Sequence, residues 1–324
     1  MAIDDFTITL NGAYATICAR GAVVTSWVVP TPETFNVIDG YASQEEVDEA
    51  DGCRSAVLAP WSNRISDARF TYRGVEYDFG VGDNGEREAL HGLVLDHDFT
   101  VTARSEHAIT LETTIEDENY PQPVRVSVTY ELSTRSGSWA LRTRISGHNL
   151  GAGPTPIGLG WHPYIRYDGP RENAYVTVPA RTVIRTDERL IPLDGAEAFE
   201  RLESFDPVSG LATIQPLEQL DTAHSDLTAS QGEEAVITAT LHHGSGATTD
   251  LIATAPATVN KASGIIHLFT GEPLAHRAGE SLAFEYCQFM TNAFNRVECA
   301  RHIDVGAGDT RTMTVTLVHT PRGR

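Results

Sequence analysis

Apolar and polar residues alternate with a period of two along much of this chain. Phe6, Ile8 and Leu10 are interleaved with Thr7 and Thr9, and Asn11-Gly12 follows as a hairpin dipeptide. Val124, Val126, Val128, Tyr130 and Leu132 alternate with Arg125, Ser127, Thr129 and Glu131. After Ser136-Gly137-Ser138 the pattern resumes at Trp139, Leu141, Thr143 and Ile145, and it returns near the end at Met313, Val315 and Leu317. Side chains on a strand point to opposite faces in turn, so this pattern predicts antiparallel strands with one face on a core and one in water. No long stretch carries a helical period. The acidic segment 44–51 reads as a solvated loop more readily than as one or two helical turns. Pro and Gly are spread throughout, and no blade-like repeat is present. The expectation is an all-β chain, with residues 1–324 forming a single large antiparallel β-sandwich domain.

Composition narrows the partners. A formal net charge of −20 disfavours nucleic acid and anionic membrane, both of which need a basic surface, and gives a phosphorylated ligand no long-range attraction. Lys261 is the sole lysine. The four cysteines, Cys18, Cys53, Cys287 and Cys299, form no C-x-x-C pair and are too sparse for a disulfide framework or a zinc site, so free thiols in a reducing compartment are expected. The N-terminal Met1-Ala2-Ile3-Asp4-Asp5-Phe6 has neither a basic nor an apolar signal region, and no apolar run reaches the ~18 residues of a membrane span. A soluble, cytoplasmic protein is expected, monomeric or homodimeric. Neither a metal nor a cofactor is expected: G-x-S-x-G, phosphate-binding and dinucleotide loops and H-E-x-x-H are all missing from the sequence.

Several polar groups stand in apolar, rigid settings. In Ala59-Pro60-Trp61-Ser62-Asn63-Arg64-Ile65, the guanidinium of Arg64 either ties down a loop or offers a planar fork to sugar oxygens, with Trp61 as a pocket wall. His91, in Leu90-His91-Gly92-Leu93, is either a satisfied core histidine or a ligand contact, Gly92 leaving room for close approach. His162 lies in Gly158-Leu159-Gly160-Trp161-His162-Pro163-Tyr164, where a fixed backbone and flanking rings suit acid–base work. Glu285 interrupts the apolar run Leu282–Phe289. It is either an edge glutamate facing water or a buried carboxylate, whose pKa would rise unless it were paired, and Glu272 is a nearby decoy. Asp221 binds hydroxyls or makes a turn.

Taken in order, these segments resemble the aldose 1-epimerase (galactose mutarotase-like) family. The likeness runs from 59–65 through 90–93, 158–164, Leu220-Asp221 and Phe269-Thr270-Gly271 to Glu285 and Asn292-Ala293-Phe294-Asn295. It implies a β-supersandwich that interconverts the α and β anomers of free aldoses, such as galactose or glucose, without a cofactor. By position, Glu285 corresponds to the family's general base and His162 to its general acid. Arg64 and His91 correspond to substrate-binding residues, Asn63 to the motif residue beside the arginine, and Asp221 to the residue that binds sugar hydroxyls. The chain departs from the family at Tyr286, where a proline commonly follows the glutamate, and at Met290-Thr291. Anomer exchange needs a proton taken from the C1 hydroxyl and another given to the ring oxygen, so a carboxylate base and an imidazolium acid on opposite sides of the sugar would serve. Two other readings stay open: a hexose-6-phosphate epimerase, which needs a basic cluster near the pocket, and a non-catalytic sugar-binding protein on the same fold.

Overall fold

A computed structural model of the chain describes residues 5–31, 34–81, 87, 89–231, 235–255 and 260–323. Of the N-terminal stretch read above, residues 1–4 lie outside the described residues. Two large sheets dominate. A ten-stranded antiparallel sheet has at its centre the strands Ala108–Ile115, Val124–Arg135, Ser138–Asn149, Thr310–Thr320, Thr248–Thr254 and Val236–His242, paired in that order. An eight-stranded sheet places Ala180–Ile184, Asp221–Leu227, Ser263–Phe269, Ser281–Phe289, Gly160–His162 and Ala56–Leu58 side by side, and Tyr164–Arg166 pairs with the far end of Ser281–Phe289. A four-stranded sheet from the N-terminal segment adjoins them.

The period-two segments form the expected strands. Asp5–Leu10 and Ala13–Cys18 make a hairpin whose turn, Asn11-Gly12, has positive φ at both residues, the geometry that matches strand twist. Val124–Arg135 pairs with Ser138–Asn149 across Ser136-Gly137, which again has positive φ at both positions. Val124, Val126, Val128, Tyr130 and Leu132 are buried in one contiguous core. That core also takes Trp161, Phe284, Tyr286, Ile266 and Leu268 from the eight-stranded sheet, and the Trp161 ring lies 6.4 Å from that of Tyr130. The two sheets therefore share one apolar interior.

The acidic stretch departs from expectation. Gln44–Glu49 is a short α-helix, not a loop. Its start is the Ser43-x-x-Glu46 pattern: the Ser43 hydroxyl accepts the Glu46 amide, and the Glu46 carboxylate accepts the Ala42 N–H while pairing with Arg277 at 2.8 Å. The helix is held by its cap and by one buried residue, Val47, which is why no helical period precedes it in the sequence. All four cysteines are free. Among the described residues no helix is long and apolar enough to cross a membrane.

Candidate active site

The register of the eight-stranded sheet assembles the site. Ala223 is the Cα partner of His267, and His267 is the partner of Glu285. Trp161 pairs with Tyr286, so His162, one residue further along, faces Glu285; its partner on the other side is Ala56. Ala223, His267, Glu285, His162 and Ala56 thus form one row across five strands. The alanines at its ends keep the row open, and the three ionisable groups fill its centre. The other face of the same strands belongs to the core: Trp161, Phe284 and Tyr286 alternate away from the row by the period of two.

Glu285 is 2% exposed and His162 5%, and their Oε1 and Nε2 atoms are 3.3 Å apart. The carboxylate is therefore buried and paired, not an edge group in water. Desolvation pulls the His162 pKa below its usual 6.5, with the Glu285 charge opposing. The Tyr164 ring stacks on the His162 imidazole at 5.2 Å and 15°, and the His91 ring meets it edge-on at 5.1 Å. Behind Tyr164, the guanidinium of Arg54 lies 4.8 Å from the ring centroid and donates at 2.6 Å to Asp39. Asp39 is wholly buried and also accepts from Arg166, from Arg277 at 3.0 Å and from Ser281 at 2.8 Å. A stack of side chains thus fixes the plane of His162. Its other flank differs from expectation, since Trp161 points into the core and donates to the Ser55 carbonyl.

Arg64, Asn63 and His91 come together through a two-strand pairing of Arg64–Ile65 with Ala89–Leu90. Asn63 and His91 both adopt positive φ, and the pair is locked by His91 N–H to Asn63 O at 2.9 Å and Asn63 N–H to His91 Nδ1 at 3.3 Å. Burial first, then the His162 and Arg64 charges, hold His91 well below its usual pKa, so it is a neutral imidazole with Nδ1 as acceptor. The Asn63 carboxamide oxygen accepts from Arg64 at 3.3 Å and orients the guanidinium. Asn292, also at positive φ, accepts the Ser66 amide and donates its own to the Arg64 carbonyl at 2.8 Å. Gly92 serves packing, not ligand approach: at φ +88° an added Cβ would sit 2.0 Å from the Ala59 carbonyl oxygen. Trp61, expected as a pocket wall, packs instead on Phe79 and Phe294.

Asp221 opens its strand and approaches His267 diagonally, Oδ1 to Nε2 at 2.7 Å. Asn63, Arg64, Thr186, Asp221 and His267 line a narrow cleft. Glu285, His162 and His91 sit behind it. Glu272 is elsewhere, in an ion pair with Arg171 and hydrogen-bonded to Thr270; these partners overcome desolvation and hold its pKa down at about 2. The structure therefore brings together Glu285, His162, Arg64, His91, Asn63 and Asp221, and leaves Glu272 out. It adds His267, whose only sequence signal is one polar residue inside Gly264–Phe269, and Arg54 with Asp39, which carry no local signal at all.

The family model described as aldose 1-epimerase matches residues 4–243. The chain belongs to the aldose 1-epimerase family. Two Escherichia coli K12 relatives, the uncharacterized proteins YihR and YphB, are each 30% identical to it, over 42% and 33% of the chain. These alignments span 44% and 35% of the relatives' own length, under half of each. Solved structures similar over nearly the whole molecule include a GalM/aldose epimerase homologue from C. elegans (TM-score 0.76, 15% identity, 99% of this chain and 100% of that one) and a putative aldose 1-epimerase from E. coli K12 (0.77, 17%, 98% and 99%). A galactose 1-epimerase from Lactobacillus acidophilus superposes with TM-score 0.71 at 16% identity, covering 98% and 95%. The fold of this epimerase-family chain is thus the galactose mutarotase-like one. Tyr286, which replaces the proline usual after the glutamate, is 1% exposed and lies on the core face, with its hydroxyl donating to the Thr254 carbonyl at 3.3 Å. The substitution is absorbed on the side of the sheet away from the row.

Proposed function

We propose that this chain is a cofactor-independent mutarotase that interconverts the anomers of a neutral free aldose. The observation that carries the reading is the buried Glu285–His162 pair at 3.3 Å behind a cleft lined by Arg64, Asn63 and Asp221. The C1 hydroxyl and the ring oxygen are bonded to the same carbon. A base and an acid near one another can therefore serve both, and Glu285 and His162 are 3.3 Å apart. Glu285 takes the hydroxyl proton while His162 delivers one to the ring oxygen. The C1–O5 bond breaks to give the open aldehyde, the C1–C2 bond rotates, and the reverse transfers close the ring on the other face of C1. Arg64 and neutral His91 hold sugar oxygens as charge shifts, and Asp221 accepts from a hydroxyl.

His162 must be protonated to act as the acid, and its burial works against that. The protonated fraction of His162 therefore falls at lower pH than for a solvated histidine. Desolvation has a compensating use: proton transfers in a water-poor site meet less dielectric screening.

One observation bears on an anionic sugar. Arg87 and Arg189 line a wider cleft that shares Arg64 with the first. Arg87 is ion-paired with Asp78, Arg189 with Asp67 at 2.8 Å, and Glu188 lines the same wall. That wall is charge-compensated, and a neutral sugar fits better. Polarimetry of freshly dissolved α-D-glucose and α-D-galactose provides the test. A mutarotation rate above buffer that scales with protein concentration is expected; rates equal to buffer for both sugars, alongside acceleration of a sugar phosphate, would reverse the choice of substrate. Binding of either sugar with no acceleration would make the chain a non-catalytic sugar binder.

A further inference from the structure

The proton pair heads a column of side chains that runs down the sheet. The pairing of Trp161 with Tyr286 continues without a shift through Pro163, so Tyr164 faces Ala283 and Arg166 faces Ser281. Counted in twos, His162, Tyr164 and Arg166 share one face with Glu285, Ala283 and Ser281. The small Ala283 leaves room for the Tyr164 ring, which lies on the His162 imidazole at 5.2 Å and 15°. The column ends on Asp39, a fully buried carboxylate that accepts from the Ser281 hydroxyl at 2.8 Å, from Arg166 and from Arg54 at 2.6 Å. Arg54 is itself fully buried. Its Nη2 donates to the His276 carbonyl at 2.6 Å, and its guanidinium lies 4.8 Å from the centre of the Tyr164 ring. One carboxylate thus touches the supports of both proton-transfer groups: Ser281 opens the strand of Glu285, and Arg54 backs the ring packed on His162.

A working histidine is usually oriented by a hydrogen bond to its second ring nitrogen. The Nδ1 atom of His162 is buried and makes no hydrogen bond to another residue among the described residues. The imidazole meets Glu285 through Nε2 and is otherwise held by rings, Tyr164 against its face and His91 edge-on. Packing thus does the orienting. We propose that Arg54, anchored by Asp39, is a positioning residue for anomer exchange: it backs Tyr164 against His162 while Asp39 pins the strand of Glu285, so that this buried node sets the geometry of the proton-transfer pair without touching the sugar. The proposal rests on the mutarotase reading. Of the three arginines that meet at Asp39, Arg54 is the one that lies on the Tyr164 ring. Arg54, Asp39 and Tyr164 are all absent from the lining of the cleft, so the node acts on the reaction step and not on sugar binding.

Arg54→Lys keeps a positive charge for Asp39 but loses the planar fork that bonds Asp39 and the His276 carbonyl while lying on the Tyr164 ring. Misplacing a reacting group by about 1 Å can cost ~10²-fold in rate. In polarimetric assays of the full chain, Arg54→Lys should therefore lower kcat roughly ten- to a hundredfold, with KM little changed. Tyr164→Leu, which removes the ring, should do the same, and Tyr164→Phe, which keeps it, should restore most of the loss. In the wild-type chain a nuclear Overhauser contact should join the Tyr164 ring to a His162 C–H, assigned by its loss in His162→Asn, and it should weaken in Arg54→Lys. Full kcat in folded Arg54→Lys overturns the proposal, as does a raised KM at unchanged kcat. Absence of the wild-type contact also overturns it, and that arm decides even if the lysine variant folds poorly. If the wild-type chain accelerates no sugar, the mutarotase reading fails and the positioning role falls with it. If the wild type is active and Arg54→Lys keeps its kcat, the positioning role alone fails.

Discussion

The two large sheets obey different sequence rules. In the ten-stranded sheet, Val124–Arg135 buries every second residue through Leu132 and gives the others to the outer face. In the eight-stranded sheet, all nine residues of Ser281–Phe289 are buried, and so are six of the seven in Ser263–Phe269. A polar residue on the outer face of the first sheet is an ordinary contact with solvent. On the central strands of the second it has no water to face, and burying it carries a desolvation cost. The candidate site lies on the sheet whose central strands are buried on both faces, and the alternating sheet supplies the floor of the core.

The largest effect that could break this contrast is loss of the central pair. Glu285→Gln and His162→Asn should each lower kcat/KM by about 10²–10⁴-fold in a mutarotation assay, with unchanged circular dichroism. Glu272→Gln should stay near wild type, and if Glu272→Gln proved the inactive variant the assignment of Glu285 would collapse. Next comes the alternating sheet. Leu141 is fully buried, and Leu141→Ala should cost about 2–5 kcal/mol in denaturant unfolding while leaving the kcat/KM of the folded fraction unchanged. Loss of specific activity in the surviving fraction would mean that the two sheets do not divide their labour. The pH profile is subtler. The proposed mechanism needs His162 protonated, and burial lowers its pKa, so the alkaline limb of kcat/KM should lie at lower pH than for a solvated histidine. A profile flat from pH 5 to 9 would remove His162 from the acid role. The smallest effect belongs to the outer face, where Arg142 and Glu131 are 3.8 Å apart and half exposed. Arg142→Ala should change stability by less than about 1 kcal/mol and leave the mutarotation rate unaltered.

This contrast also explains what the sequence disclosed. Strands with one wet face announce themselves by period two, so Val124–Arg135, Ser138–Asn149 and Thr310–Thr320 were readable residue by residue. Strands buried on both faces lose that period. Glu285 and His162 stood out there only as polar residues in apolar runs, and their joint meaning came from family resemblance. His267 carries the same faint signal, and nothing local reveals that register sets it opposite Glu285. Asp39 and Arg54 were unreadable for a related reason: their contacts with Arg277 and Tyr164 join segments over a hundred residues apart. The helix 44–49 was missed because a cap holds it, with only one apolar residue to mark a face.

The row from Ala223 through His267, Glu285 and His162 to Ala56 has a consequence for how the molecule is made. Its five members lie between positions 56 and 285 and share a face only when five separate strands are in register. Closing such distant contacts is slow, because loop entropy is lost before the contacts form. A growing chain can complete the hairpin of Val124–Arg135 with Ser138–Asn149 before Glu285 exists, but neither large sheet closes until Ser281–Phe289 and Thr310–Thr320 have been made. In refolding experiments, strand signals should therefore return before mutarotase activity does. A chain truncated ahead of Ser281 would lack the central strand of the second sheet altogether.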